Sequence, residues 1–374
     1  MRRLHRLWHI VCWGPIEALS NGYFVRTYTL AESIIKYLRM PLMLAEYSEG
    51  LDKKYAYELR KISQGIMKVL LPGNEESKNI VHKYLKFFLY QLVNTIRLQN
   101  FLRLSKVTVI SGELFLPTLI VMKTIIRRDH EFFIIVDPQM LISEREKRRG
   151  RKLITFLLLV LEMLFFRLSD FAIAISEEMK KKIVNMFKVP QERVIIIPHA
   201  LPSKFQTPIV CISDYDRFRG VHSITKLVFV GSLRTSHNVE AVLYLIRVLS
   251  ILKEYIKKPV ILYVIGSVDD KTKCFIERFV SKCGLEGVVN ILGFIEDLDD
   301  FICRNADILL APMFTMSGVS TKMLYYLRFK DKVIITSKEA IEGIEHLAAR
   351  HSRVIVAEDS RDFARKLLEV INNV

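Results

Sequence analysis

Cysteine is scarce and scattered in this 374-residue chain: Cys12, Cys211, Cys274, Cys283 and Cys303 are the full set of five, with no CxxC pair. Such spacing argues against a disulfide framework and a structural zinc site, and predicts free thiols in a reducing, cytosolic compartment. Long hydrophobic runs are missing as well. The longest, Leu153 to Phe166, is interrupted by Glu162 and falls short of the roughly 18–20 residues a spanning helix needs. The opening MRRLHRLWHIVCWG starts basic, but its apolar stretch is short, carries His9 and lacks a small-residue cleavage site. It reads as a first strand rather than a signal peptide. There is no internal repeat and no low-complexity tract.

What is present is a core-forming composition, 51% hydrophobic and 26% charged. The length suits two domains of Rossmann size. The net charge of +16 is uneven: residues 1–200 hold 32 Lys+Arg against 19 Asp+Glu, whereas residues 224–374 hold 21 against 19. The positive field, +13, therefore belongs to the front half, and it points to an anionic partner.

The back half alternates short β-rich runs with helical patterns. KLVFVG (226–231), VILYVIG (260–266), VVNILG (288–293), DILLAP (307–312), VIITS (333–337) and VIVAE (354–358) read as strands. Helical stretches lie between them, among them Asn238–Lys257, Val319–Arg328 and Glu339–Arg350. Continuous Val/Ile/Leu strands separated by helices predict a parallel sheet covered on both faces. The front half is less regular, with strands at Leu7–Trp13, Val107–Ser111, Phe132–Asp137, Phe171–Ser176 and Val194–Pro198, and no assignment between Pro41 and Gly73. The expected architecture is α/β: two Rossmann-like parallel-sheet domains, 1–205 and 224–374, facing each other across a cleft. The linker, 206–223, falls where two prolines break both periodicities nearby.

The strongest chemical constellation is APMFTMSGVSTK (311–322). It leaves a predicted strand through a small-residue turn and enters a helix, where backbone N–H groups face an anion and Lys322 adds a point charge. An ordinary N-cap followed by a solvated lysine fits the same residues. A second small-residue turn, Gly231-Ser232-Leu233, occupies the first βα turn of the same domain, the usual meeting place with phosphate.

From Lys226 onward the chain resembles the donor-nucleotide half of a family 4 glycosyltransferase, the retaining group with the two-Rossmann GT-B fold. KLVFVGSLRTSHNVEAVLYLI resembles that family's Gly loop and helix, supplying Gly231 and Ser232. ILGFIEDLDDFICRNADILLAP resembles its base-holding stretch, with Gly293, Phe294 and Ile295. SGVSTKMLYYL resembles its phosphate-and-ribose helix, with Gly318, Val319, Ser320, Thr321 and Lys322. In the front half SNGYFVRTYTL resembles the acceptor-side loop, with Gly22 and Arg26, while Glu162 with LSDFAIAISEEM, and VIIIPHALP with His199, match in order. The family's two glutamates, with seven residues between them, are replaced here by Ser317 and Tyr325.

The resemblance implies transfer of a sugar, with retention, from a nucleotide-diphosphate sugar to a lipid-linked or polysaccharide acceptor. Lys322 and Ser317 are the implied catalytic residues, Tyr325 joins the donor site, and neither cofactor nor metal is expected. A non-catalytic nucleotide-sugar-binding or scaffold protein on the same fold is the alternative. Glu113 and Asp137 end front-domain strands, placing them with Gly22, Arg26 and His199 as acceptor-side candidates, or as turn caps. Asp297-Leu298-Asp299 fits a DxD metal motif, but it opens a helix, where acids favour the N-terminus. The basic run EREKRRGRK (144–152) predicts attraction of the front domain to an anionic membrane surface, peripheral on the inner face, while the apolar helix after it is expected to be buried. No recognition motif or aromatic-basic platform accompanies the charge, so no nucleic-acid partner is expected.

Overall fold

The computed structural model describes residues 7–13, 22–38, 42–48, 65–70, isolated positions between 89 and 102, 105–111, 116–126, 132–138, 141–148, 150–201, 206–211, 224–315 and 320–373. It divides into two units, Met1–Pro202 and Ser203–Val374.

The first unit is built on seven parallel strands, β1 (Leu7–Trp13), β2 (Leu42–Ser48), β3 (Gly65–Leu70), β4 (Ser105–Ser111), β5 (Phe133–Asp137), β6 (Phe171–Ala174) and β7 (Val194–Ile196), ordered β3-β2-β1-β4-β5-β6-β7. Val109, Ile110, Ile134 and Val136 are at most 3% exposed, as strands covered on both faces require. The crossover helices are α1 (Gly22–Leu38), α2 (Leu116–Val121, which runs into a π-turn over Met122–Ile126), α3 (Ile142–Arg148), α4 (Lys152–Leu168) and α5 (Glu177–Phe187). Ser176 caps α5 by accepting from the Met179 N–H, which fixes the start of that helix.

The second unit holds six parallel strands, β8 (Thr225–Val230), β9 (Val260–Ile265), β10 (Val289–Gly293), β11 (Ile308–Ala311), β12 (Val333–Ser337) and β13 (Val354–Ala357), ordered β10-β9-β8-β11-β12-β13. Its helices are α6 (Ser236–Leu252), α7 (Asp270–Lys282), α8 (Leu298–Asn305), α9 (Thr321–Tyr326), α10 (Glu345–Ala348) and α11 (Ser360–Asn373). Strand order reverses between β8 and β11. In such sheets the crevice outside the carboxyl ends at that point is the place for a ligand.

Several expectations are corrected. β2 and β3 lie in the stretch left unassigned. The helix expected over Glu339–Arg350 is a 3₁₀ turn, Lys338–Ile341, and then the four residues of α10. They are separated at Gly343, whose φ of 84° a helix does not tolerate. The segment expected as linker is partly structured: Ile209 bridges to Phe329, and its N–H and C=O bond to Arg328 O and Lys330 N. The expected burial of the apolar helix is overturned in α4, where Leu153, Phe156 and Leu157 are 74%, 63% and 55% exposed. Both faces of that helix are apolar, so its composition exceeded what one core contact could bury.

The cysteines are corrected too. Cys211 and Cys303 form a disulfide that ties the segment entering the second unit to α8, while Cys274 and Cys283 are free thiols. The crosslink joins residues 92 apart, and closing a loop of that length stabilises by up to about 4–5 kcal/mol through the unfolded chain. Denaturant titration with and without dithiothreitol is expected to show that loss on reduction, and Cys303→Ala is expected to be insensitive to reductant. Equal midpoints for the parent in both conditions would remove the crosslink.

Candidate functional site

At the switch point the second unit converges on Lys322. Its Nζ donates to Asn238 Oδ1 at 3.1 Å, lies 3.5 Å from Met313 Sδ and sits 3.6 Å above the centre of the Phe229 ring. Phe229 comes from β8, Asn238 from α6 and Met313 from the loop after β11, so three elements meet on one amine. None of these partners carries negative charge. The residue as a whole is partly exposed, but its amine end is enclosed. Burial therefore pulls the Lys322 amine well below the usual lysine range, with no carboxylate among the described residues to offset it.

Asn238 organises this centre. Its Nδ2 donates to Ser232 O and Thr235 Oγ1, both at 2.9 Å, while its Oδ1 receives Lys322. The amide lies against the first βα turn so closely that a Cβ on Gly231 would fall 2.8 Å from it. Gly266, at φ +144°, is more constrained: a Cβ there would stand 2.2 Å from the Gly231 carbonyl oxygen. Glycine at both positions lets the ends of β8 and β9 touch, joined by Gly231 N–H to Ile265 O and by the Ser232–Ser267 hydroxyl pair at 2.8 Å. Gly266 N–H then bonds Gly293 O at the end of β10. Phe294 follows, 59% exposed.

Tyr326 locks α9 onto the switch point. Its hydroxyl accepts from Val230 N–H at 2.8 Å and faces Leu310 O, so one buried phenol spans β8 and β11. Its neighbour Tyr325, expected in the donor site, donates its hydroxyl to Asp299 on α8 and packs on Phe329. Arg328 grips the same carboxylate through two nitrogens, at 3.2 and 3.0 Å. Asp297 caps α8 by accepting from Asp300 N–H. Because α9 is only six residues long, its dipole is slight. Ser320 and Thr321 adjoin it; Ser317, Gly318 and Val319 lie outside the described residues.

In the first unit, Gly22 begins α1 and Arg26 follows one turn later. The Arg26 guanidinium, 1% exposed, pairs with Asp137 at 2.9 Å and donates to Pro198 O at 2.7 Å. Ser111 donates to the same carboxylate at 3.0 Å, and Thr29 bonds Ala200 O. These contacts pin the chain on both sides of His199, which is 5% exposed with an Nδ1 that lacks a hydrogen-bond partner. Burial, helped by Arg26, lowers the His199 pKa to about 3, so the ring is neutral at ordinary pH. Arg26, Asp137 and His199 are thus brought together, and Glu113 lies outside the described residues. Glu162 is buried, accepting from the Ser143 N–H and hydroxyl, and burial raises its pKa. Sequence reasoning missed Asn238 and Tyr326. The Gly231 turn signalled the first, since a glycine beside a helix start implies a side chain folded over it.

An enclosed, uncompensated amine attracts anions, and an anion restores its proton. Free protein above the lowered pKa carries a neutral Lys322; binding then takes up a proton, and affinity falls as pH rises. Titration of pyrophosphate in buffers of different ionisation heat is expected to show more proton uptake by the parent than by Lys322→Met, a difference that excludes the ligand's own ionisation. Equal uptake by the two would show that the amine is already charged or not engaged.

The geometry matches known proteins. Residues 224–373 match the family model described as glycosyl transferases group 1. Nothing among curated proteins matches the sequence. Among solved structures, Anabaena HepE in complex with UDP and glucose gives a TM-score of 0.64 at 12% identity, covering 98% of this chain and 89% of that one. WaaG, a glycosyltransferase involved in lipopolysaccharide biosynthesis, gives 0.64 at 12%, covering 98% and 90%. Sucrose-phosphate synthase from Thermosynechococcus elongatus gives 0.65 at 12%, covering 97% and 89%. Residues 224–373 thus match the glycosyl transferases group 1 model, in a chain whose fold is that of the GT-B structures it resembles.

Proposed function

We propose that the protein is a retaining glycosyltransferase of family 4 type, moving a sugar from a nucleotide-diphosphate sugar to a lipid-linked or polysaccharide acceptor. The observation that carries this reading is the Lys322 amine, enclosed without a counter-charge at the switch point of the second sheet. When the glycosidic bond to the donor breaks, negative charge grows on the departing diphosphate. A desolvated cation fixed by Asn238 and Phe229 stabilises that charge more than water would. Backbone amides of residues 318–321 and the hydroxyl of Ser317 would complete the cradle, with no metal or cofactor needed. The Gly231-Ser232 turn would admit the phosphates, and exposed Phe294 with Gly293 and Ile295 would face the base. UDP bound by Anabaena HepE supports a nucleoside diphosphate as the donor's leaving group.

On the acceptor side, Arg26 and Asp137 are occupied with one another and with Pro198 O. Their role in this reading is to hold the loop that carries His199, whose neutral ring contacts the acceptor. The site would work at a membrane surface, to which the basic first unit is drawn; the Cys211–Cys303 disulfide runs against the reducing, cytosolic compartment expected from the cysteine spacing. A binding protein without turnover is the second reading, favoured by Tyr325, whose hydroxyl is committed to Asp299 rather than left for a ligand.

Calorimetry with UDP, GDP and ADP sugars is expected to find one donor class that binds. Lys322→Ala is expected to weaken it by about 1.5–3 kcal/mol, the scale of a lost charge-assisted bond, while the melting temperature holds. Slow donor hydrolysis by the parent separates the transferase from the binding protein. If no nucleotide sugar binds, both readings fail.

A further inference from the structure

The strongest feature that the nucleotide site leaves unused is the outward face of α4. At a helical spacing of 100° per residue, Leu153, Phe156, Leu157, Val160 and Leu164 fall within one arc. They are 74%, 63%, 55%, 37% and 40% exposed. The opposite arc holds Thr155, Leu158, Glu162, Phe165 and Phe166, all buried. The helix therefore has two apolar faces, of which the fold uses one. Five large apolar side chains on a single surface stripe exceed the scattered apolar exposure normal for a soluble unit.

The polar groups around the stripe show what covers it. The one acidic residue of α4, Glu162, points inward and is held by Ser143. Exposed Lys152 and Arg167 stand at the two ends, and exposed Lys147 and Arg151 precede the helix. Arg151 shares its charge with Glu146, but Lys152 and Arg167 have no recorded carboxylate partner among the described residues. We propose that this face of α4 lies in the headgroup region of a bilayer rich in anionic lipid, with its apolar stripe inserted and its basic ends on lipid phosphates. Seventeen residues make a rod of about 25 Å, suited to lying along an interface; no described helix is long and apolar enough to cross it. A second copy fits less well. Pairing the stripes in either direction sets Lys152 and Arg167 against like charges, whereas anionic lipid neutralises both ends. This extends the membrane part of the proposed function and is independent of the transferase part.

The test is sedimentation of the full chain with vesicles of phosphatidylcholine alone or mixed equally with phosphatidylglycerol. Binding is expected only to the anionic vesicles and to weaken with salt. Phe156→Ser with Leu157→Ser, and separately Leu157→Glu, are each expected to lower the partition coefficient on the order of tenfold or more. Their circular dichroism and melting should be unchanged, because both sites face solvent. Ile251→Ser, at a residue 69% exposed in the second unit, is expected to leave partitioning unaltered. Equal binding by the parent and both α4 variants would overturn the proposal. So would a parent dimer that those variants dissociate, which would assign the stripe to a second copy. Nucleotide binding is not read in this experiment, so its failure and that of the transferase reading are distinguishable.

Discussion

A buried amine with no counter-charge among the described residues is costly to protonate, and the second unit is arranged around one. Removing an ammonium from water is tolerated only where dipoles, a ring face or an incoming anion replace the lost hydration. Lys322 has an amide oxygen, a thioether and the Phe229 ring, which together solvate it weakly. The rest of the edge follows from holding those partners still. Asn238 folds over the first turn, so a Cβ at position 231 would displace its amide. Gly266 must give way to the Gly231 carbonyl. Tyr326 must bridge β8 and β11 so that α9 presents the lysine there.

The first unit resolves the opposite problem in the opposite way. Arg26 is as buried as a cation can be, yet Asp137, Ser111 and Pro198 O satisfy it and its partner locally. Such a pair holds a shape and offers no charge to a ligand. What it holds is the turn from Pro198 to Ala200, and the one polar atom left unsatisfied there is His199 Nδ1. A neutral imidazole with a free nitrogen suits an uncharged hydroxyl group better than a phosphate.

The parallel sheets were legible because their strands are continuous runs of Val, Ile and Leu, as in KLVFV and VILYVI. β2, LMLAEYS, was not, since Leu, Met, Ala and Glu favour helix and only pairing with β1 and β3 makes it a strand. Lys322 and Gly231 were legible as a strand-turn-helix and a βα turn. Tyr326 was not singled out: the resemblance supplied the position of its neighbour Tyr325, and one residue is a 100° rotation on a helix. The Cys211–Cys303 bond was hidden by its 92-residue separation; it depends on Ile209 pairing with Phe329, which no local pattern announces.

α4 shows where hydrophobic periodicity stops being informative. An amphipathic pattern tells inward from outward by contrast, and ITFLLLVLEMLFF has almost none. Composition then suggests a core helix, while the burial it obtains is set by what the neighbouring elements can cover. α3, α2 and α5 cover one side. The charge balance completes the argument. A net +13 in residues 1–200 and +2 in residues 224–374 would, if charge alone selected ligands, put the phosphate site in the first half. Instead the nearly neutral half holds the desolvated lysine, where one charge acts at short range in a poor dielectric. The basic half spreads its charge over an exposed surface, where salt limits each one's reach. Net charge therefore describes a unit's surface, and burial the strength of a single charge.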